Sequence, residues 1–388
     1  WPPYVWVTED WGESWRSLAS PDIDGFVHAI EEDPANPELL FLGTEFGLRV
    51  SLDRGATWMP FTAGVPAVPI RDLQVHRRDG DLVLGTHGRA VIVVDDIRPL
   101  RELAADPEIH DRPVHAFTPP PAIRANVAEA IGYRSTGHAM QQGQTRPEGA
   151  LLTWWNGQAG RARLEVADGR GRTVWTSNAN AVAGLNRTAW DLEADGDHDE
   201  SVPEGLAVAP GDYTFTVTSA GASASAPLRV LPDPRTPFSA SAYAAQVAAL
   251  LEHQALERRV EEARERIEEV AERVGMVMET LDADDAPLRE QGEAVRDAIR
   301  LLLEEHFTGP ECQGGCRGIV TASAVGAPGG RIEGDPSGPS DNTRVMMDQA
   351  RAAADRIVGD IEALLDGEVA AYRSALRAAG YTPFGGTP

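Results

Sequence analysis

The sequence predicts a multidomain protein. Partial β-propeller blades are expected over residues 1–103, a Pro-rich linker over 104–149, an immunoglobulin or fibronectin-III-like β-sandwich over 150–233, and an α-helical hairpin over 234–381. Three observations predict this order. One eight-residue pattern occurs twice, 43 positions apart, at Thr8-Glu-Asp10-Trp-Gly12-Glu-Ser14-Trp15 and at Ser51-Leu-Asp53-Arg-Gly55-Ala-Thr57-Trp58. Short alternating segments separated by Gly and Asn turns fill 150–233. Apolar residues spaced alternately by three and four begin at Leu256.

Both copies of the pattern read Ser/Thr-x-Asp-x-Gly-x-Ser/Thr-Trp, the Asp-box signature of propeller blades. Their spacing suits a four-stranded blade with its turns, which takes roughly 40–50 residues. The chemistry suits a hairpin turn. Asp10 and Asp53 can accept backbone N–H bonds two residues on, Gly12 and Gly55 supply positive φ, and Trp15 and Trp58 tuck beneath as anchors. Thr8 and Ser51 complete the two boxes, and all eight residues read as structural. Strand segments are expected at 4–7, 15–18, 27–30, 39–42, 47–50, 70–75, 81–85 and 90–94. Two boxed blades are too few for a ring of about four to eight, so a fragment or processed product is expected, with any signal peptide outside it.

Residues 104–149, with Thr118-Pro-Pro-Pro121, read as a linker. Beyond it, strands are expected at 151–155, 161–166, 173–176, 185–192, 211–218 and 226–231, the pattern of a small sandwich. Leu256, Val260, Ala263, Ile267, Val270, Val274, Val277 and Leu281 then form a seam with Glu and Arg outside it. A second helix at 287–306, a Gly/Pro/Ser-rich loop at 308–341 and a last long helix through Val358, Ile361, Leu365, Tyr372, Leu376 and Ala379 complete a hairpin. The seam packs within the chain or, alternatively, joins a homo-oligomer.

The formal net charge is −25, and all 35 basic residues are Arg. That balance argues against nucleic acid and anionic membrane surfaces as partners. No apolar run approaches the roughly 18–20 residues of a membrane-spanning helix. Cys312 and Cys316, the two cysteines, stand alone in Glu311-Cys-Gln-Gly-Gly-Cys-Arg317. Without further ligands they do not make a metal site; they read as a local disulfide if the protein is exported, or as free thiols.

Longer stretches resemble a family. Asp33-Pro-Ala-Asn-Pro-Glu-Leu-Leu-Phe-Leu-Gly-Thr-Glu-Phe-Gly-Leu-Arg-Val-Ser-Leu-Asp-Arg-Gly-Ala-Thr-Trp58 resembles the last boxed blade of large bacterial BNR-repeat proteins. Those proteins are similar to the ten-bladed sortilin propeller and are often labelled glycosyl hydrolases. Leu82-Val-Leu-Gly-Thr-His-Gly-Arg-Ala-Val-Ile-Val-Val-Asp-Asp96 is similar to their closing motif, which usually has Gly at the place of Ala90 and Trp at that of Ile92. Gly184-Leu-Asn-Arg-Thr-Ala-Trp-Asp-Leu192 and Ala209-Pro-Gly-Asp-Tyr-Thr-Phe-Thr-Val217 resemble the sandwich that follows, and residues 340–381 fit its last helix. The resemblance implies an exported protein, extracellular or periplasmic. It implies a non-catalytic role in binding a protein, peptide or carbohydrate, with the C-terminal domains bracing or assembling the propeller. The alternative is a BNR-type glycoside hydrolase whose catalytic carboxylates lie on blades outside this chain; a purely structural fragment is a third reading.

Four further features could carry chemistry. His87, Arg89, Asp95 and Asp96 form the densest polar constellation: a carboxylate clamp and acid–base pair, or a structural lock on the closing blade. Asp195-Gly-Asp197-His-Asp199-Glu200 starts like a calcium loop but lacks Gly at position six and Glu at twelve, so it reads as a solvated turn. Trp154, Trp155, Trp175 and Trp190 could stack on a sugar, although packing is the simpler reading. Asn186-Arg-Thr188 is a glycosylation sequon placed in a strand. No phosphate loop, nucleophile elbow or His-Glu-x-x-His motif is present, so neither a cofactor nor a catalytic metal is expected.

Overall fold

A computed structural model describes residues 3–125, 146–196, 202–282, 285–309, 320–335 and 337–381. The chain forms two compact units, one of β-sheets (residues 1–193 and 210–233) and one of helices (194–209 and 234–388). No described helix is long and apolar enough to cross a membrane.

The β unit opens with a two-stranded ladder, β1 (Trp6–Val7) and β2 (Arg16–Ser17). An antiparallel meander follows: β3 (Val27–Glu32), β4 (Leu40–Thr44), β5 (Gly47–Ser51) and β6 (Met59–Phe61). A three-stranded sheet, β7 (Ile70–His76), β8 (Asp81–Thr86) and β9 (Val91–Val94), comes next. Every residue of β4 is buried, as befits a strand covered on both faces. Gly43 allows that cover, because a Cβ there would stand 2.7 Å from the Ile70 carbonyl oxygen on β7. The shared core contains Phe41, Leu48, Val50, Ile70, Leu82 and Leu84, and it is closed by Leu100 and Leu103 of α1 (Arg98–Ala105).

Two more sheets complete this unit. β12 (Ala150–Asn156) lies between β10 (Val114–Ala116) and β15 (Gly184–Trp190). The other sheet runs in the order β11 (Ala122–Arg124), β17 (Ala222–Pro232), β16 (Gly211–Ser219), β13 (Gly160–Asp168), β14 (Thr173–Ala181). Buried residues alternate along β13 (Ala162, Leu164, Val166) and β16 (Tyr213, Phe215, Val217), the period of two expected for a half-covered sheet. The expected linker is corrected in part. Residues 114–116 add to β12, and 122–124 pair in parallel with β17, so this segment feeds both sheets. Burial of Val114, Ala116 and Ala122 ties it down, and the three prolines at 119–121, lacking N–H donors, fall between the two strands.

In the helical unit, α2 (Ala240–Thr280) starts where the Ser239 hydroxyl accepts from the Ala242 amide. α3 (Ala286–Leu303) continues into a π-helical turn at Glu304–Thr308. α6 (Asp341–Leu364), capped by Ser340, passes through another π turn at Leu365–Val369 into α7 (Ala370–Ala378). The seam residues Val260, Ile267, Val270, Val274 and Val277 are buried in one core with Val295, Ile299, Ile357, Ile361, Tyr372 and Leu376. Two expectations change. The segment 308–341 holds two short helices, α4 (Thr321–Gly326) and α5 (Gly329–Glu333), because Val325 and Ile332 are buried against the long ones. The last long helix is interrupted where Gly367 sits in the π turn. Residues 194–209, expected within the sandwich, belong to the helical unit, where Leu206 is buried with Leu250, Ile332 and Met347.

Candidate functional site: the Asp-box turns and the joint beside them

The two boxes fold alike, each between two strands of an antiparallel pair. In the second, the Asp53 carboxylate accepts from the Thr57 amide (2.8 Å) and hydroxyl (2.6 Å) and from the Ser51 hydroxyl (2.7 Å). The Ser51 hydroxyl accepts from the Gly55 amide at 2.8 Å. In the first, Asp10 accepts from the Ser14 amide (2.8 Å) and hydroxyl (2.5 Å) and from the Thr8 hydroxyl (2.8 Å), while Gly12 donates to Thr8 at 2.8 Å. The amide that reaches the carboxylate lies four residues on, rather than the expected two. The two central residues explain this: Trp11 (φ 60°) with Gly12 (97°), and Arg54 (56°) with Gly55 (82°), are left-handed and fold the chain back over the carboxylate. The Ser14 hydroxyl and amide, with the Thr8 hydroxyl, hold the Asp10 carboxyl down to about 2. Partial burial pushes Asp53 up, but bonds from Thr57 and Ser51 outweigh it and leave the carboxyl below its ordinary value.

The tryptophans part company. Trp58 is buried and donates from Nε1 to the Leu18 carbonyl oxygen at 3.0 Å. A Cβ on Gly55 would lie 3.0 Å from the Leu18 side chain, so the second box sits directly on that leucine. Trp15, expected to be tucked in the same way, is 58% exposed. Among the described residues, none does for it what Leu18 does for Trp58. Tyr4, Trp6 and Trp11, near it along the chain, are also exposed.

The constellation of His87, Arg89, Asp95 and Asp96 is not brought together. His87 and Arg89 are exposed in the tight turn where Thr86 donates to the Ala90 carbonyl oxygen. Asp95 and Asp96 lie at the far end of β9, roughly 13 Å away along a four-residue strand. Ala90 itself has φ 53°, a left-handed conformation suited to the Gly that the resemblance leads one to expect there.

Asp95 and Asp96 join a different set of residues. The Arg187 guanidinium on β15 donates to the Asp96 carbonyl oxygen at 2.8 Å, to that of Asp95 at 2.5 Å, and to the Thr153 hydroxyl at 2.9 Å. Asp96 donates its amide to the Asp81 carboxylate at 2.9 Å, and Arg98 lies 3.4 Å from the Asp96 carboxylate. Arg146 stands 3.9 Å from Asp81. Burial raises the Asp95 and Asp96 carboxyls above their ordinary values. Asp96 is 3% exposed, so no substrate reaches it, and the arrangement fastens the end of β9 to β12 and β15. Arg187 was quoted above only as part of a strand; its place on the face of Leu185, which packs towards the β7–β9 core, is the available signal.

A second missed group is Asp33. Buried at the turn before β4, its carboxylate takes three bonds of 2.7–2.9 Å from Arg101 on α1 and accepts the Ala35 and Asn36 amides. The tryptophans of residues 150–233 serve packing: Trp154 and Trp190 are buried, Trp175 lies 6.1 Å from Trp190, and Trp155 meets His110 edge-on at 5.0 Å. Asn186 spends its amide side chain on Val182 and Gly184. Cys312 and Cys316, and residues 197–200 of the acidic run, lie outside the described residues. Among the described residues no cluster of three His, Cys, Asp or Glu side chains is placed to hold a metal ion.

No sequence-family profile matches the chain, and no curated protein does. Among solved structures, a biofilm-associated protein (its BSP domain) aligns at 8% identity with a TM-score of 0.20, covering 54% of this chain and 30% of that one. A likeness that low carries no argument about fold or role.

Proposed function

We propose that the first three sheets are blades of a β-propeller, that the two sheets after them form an immunoglobulin-like sandwich, and that the protein is an exported, non-catalytic binding protein. The observation carrying this reading is the state of the box carboxylates: Asp10 and Asp53 each accept three hydrogen bonds from their own turn, which suits a structural role. Its ligand is a protein, peptide or carbohydrate met by the exposed aromatic face of Tyr4, Trp6, Trp11 and Trp15; the charge of −25 weighs against nucleic acid. The seam of the helical unit is buried within its own core, which weighs against homo-oligomerisation through that seam.

The second reading is a BNR-type glycoside hydrolase whose catalytic carboxylates lie on blades outside this chain. The full chain on immobilised glycan and peptide arrays, with reducing-sugar release measured in parallel, separates the two. Binding without turnover is expected. Sustained sugar release would overturn the binding-protein reading.

A further inference from the structure

The five-stranded sheet ends on one side at β14, which pairs with β13 and, among the described residues, with no other strand. β14 has nine residues, Thr-Val-Trp-Thr-Ser-Asn-Ala-Asn-Ala, with no charged side chain and no proline. Proteins commonly guard an edge with charge, proline or brevity, because its outward N–H and C=O groups invite another strand. The other edge strands of more than four residues, β3, β7 and β15, each carry charge. β11, at the opposite side of the same sheet, has three residues. β14 is therefore a long, unguarded edge on a chain whose net charge is −25. Its regular part has defined ends. The β13–β14 ladder keeps register from Trp175 to Ala181 and shifts beyond Trp175, which leaves Val174 as an extra residue. Past Ala181, the Asn186 side chain accepts from the Val182 amide and donates to the Val182 carbonyl oxygen, so the backbone there is already engaged. Asn178 is the midpoint of the stretch between these two stops. It is exposed and stands opposite Arg163 on β13.

We propose that β14 is the interface for a second copy of this chain, paired β14 to β14 in antiparallel fashion about a two-fold axis at Asn178. The inference goes beyond the binding-protein reading and uses none of its aromatic residues at the first box. A second copy is the fitting occupant because the strand is its own complement. Centred on Asn178, the pairing uses the whole regular stretch and stops where the bulge and the Asn186 side chain stop it. It sets Asn178 against itself and Thr176 against Asn180, amides and hydroxyls that can bond across strands. On the other face it sets Trp175 against Ala181 and Ser177 against Ala179, large against small and small against small. Charge points the same way. Two chains of like charge repel, and a strand without charge is where they can approach at least cost. The contact is isologous, so it closes at two copies.

Sedimentation equilibrium of the full chain tests this. A dimer mass is expected, and the dimer should tighten as salt rises, because screening relieves the repulsion between two acidic chains that meet through an uncharged strand. Asn178→Arg sets two guanidinium groups face to face at the axis, beside Arg163, and should weaken the dimer by roughly tenfold or more. Asn178→Asp sets two carboxylates there, partly offset by Arg163, so its loss should be smaller. Mixing the two variants should restore association, since Asp then faces Arg. Because Asn178 is exposed, both variants should keep native near-ultraviolet dichroism. A chain that stays monomeric at every accessible concentration overturns the proposal. So does a dimer that Asn178→Arg leaves intact, or a mixture of the two variants that associates no better than either alone. If the chain is monomeric but Asn178→Arg removes its binding to a peptide array, the edge takes a foreign strand and the proposal is replaced. Should the variants misfold, hydrogen exchange on the unmodified chain decides: amides of β14 should gain protection as protein concentration rises, and protection independent of concentration overturns the proposal.

Discussion

The first and second Asp boxes share a sequence pattern, a turn and a set of hydrogen bonds, yet one buries its tryptophan and the other presents it to water. The difference teaches what the motif specifies. Serine or threonine, aspartate and glycine act within eight residues, and they build the turn wherever the chain places it. The tryptophan acts on a neighbour 40 residues away, Leu18 for Trp58. Its burial belongs to the pair of repeats and is absent from any single copy.

Removing the indoles should break the comparison most visibly. Trp58→Ala empties a closed pocket and is expected to cost about 3–5 kcal/mol in denaturant unfolding. Trp15→Ala should stay within about 0.5 kcal/mol, as for an exposed side chain. A loss above 2 kcal/mol at Trp15 would mean that the two tryptophans are equivalent after all. The carboxylates come next. Asp53→Ala strands the turn amides and should cost about 1–3 kcal/mol, without altering ligand binding elsewhere. Asp10→Ala, in the more exposed box, should cost less in the same assay; a reversed order would show that burial does not grade the two turns. A smaller effect of opposite sign is expected at Ala90, whose left-handed backbone strains a Cβ: Ala90→Gly should stabilise by about 0.5–1 kcal/mol in thermal melts.

Acid titration sharpens the contrast between the turns and the joint. A carboxyl lowered in the folded state contributes stability above its unfolded value and loses it as pH falls through the folded value. For Asp10 that window runs from 3.8 to about 2, and Asp53 is shifted in the same direction. Asp95 and Asp96 are raised, so the folded state takes up their protons more readily, and their contribution grows as pH falls through the raised values towards 3.8. Stability measured against pH should therefore lose part of its acid limb in Asp53→Asn. In Asp96→Asn it should lose a gain on the less acidic side. Parallel curves for the two variants would refute the opposite assignments.

What was legible in the sequence follows the range of each interaction. The turns could be read because Asp, Gly and Ser/Thr bond within one loop. The helical seam could be read because a spacing of three and four is the helix's own period, and Val260, Ile267 and Val274 are indeed buried. The seat of Trp58, the joint made by Arg187 and the clasp between Asp33 and Arg101 could not, because each pairs residues 40 or more apart. His87 and Arg89 were grouped with Asp95 and Asp96 by closeness along the chain, and an extended strand undoes such closeness. The linker was misjudged for a related reason. Prolines announce a break in pairing, but Val114 and Ala122 on either side still found strands to join.

The clasp between Asp33 and Arg101 bears on how the fold is lost over time. It closes a loop of 68 residues that contains all of β4 to β9. A contact spanning so much chain gains little until the strands between are already in place. Its φ-value should therefore be near zero, so that Asp33→Asn speeds unfolding while the folding rate barely moves. In a chevron plot the unfolding arm alone should rise. On that account the ion pair acts as a latch on the lifetime of the native state, and the order in which the sheets assemble is set elsewhere.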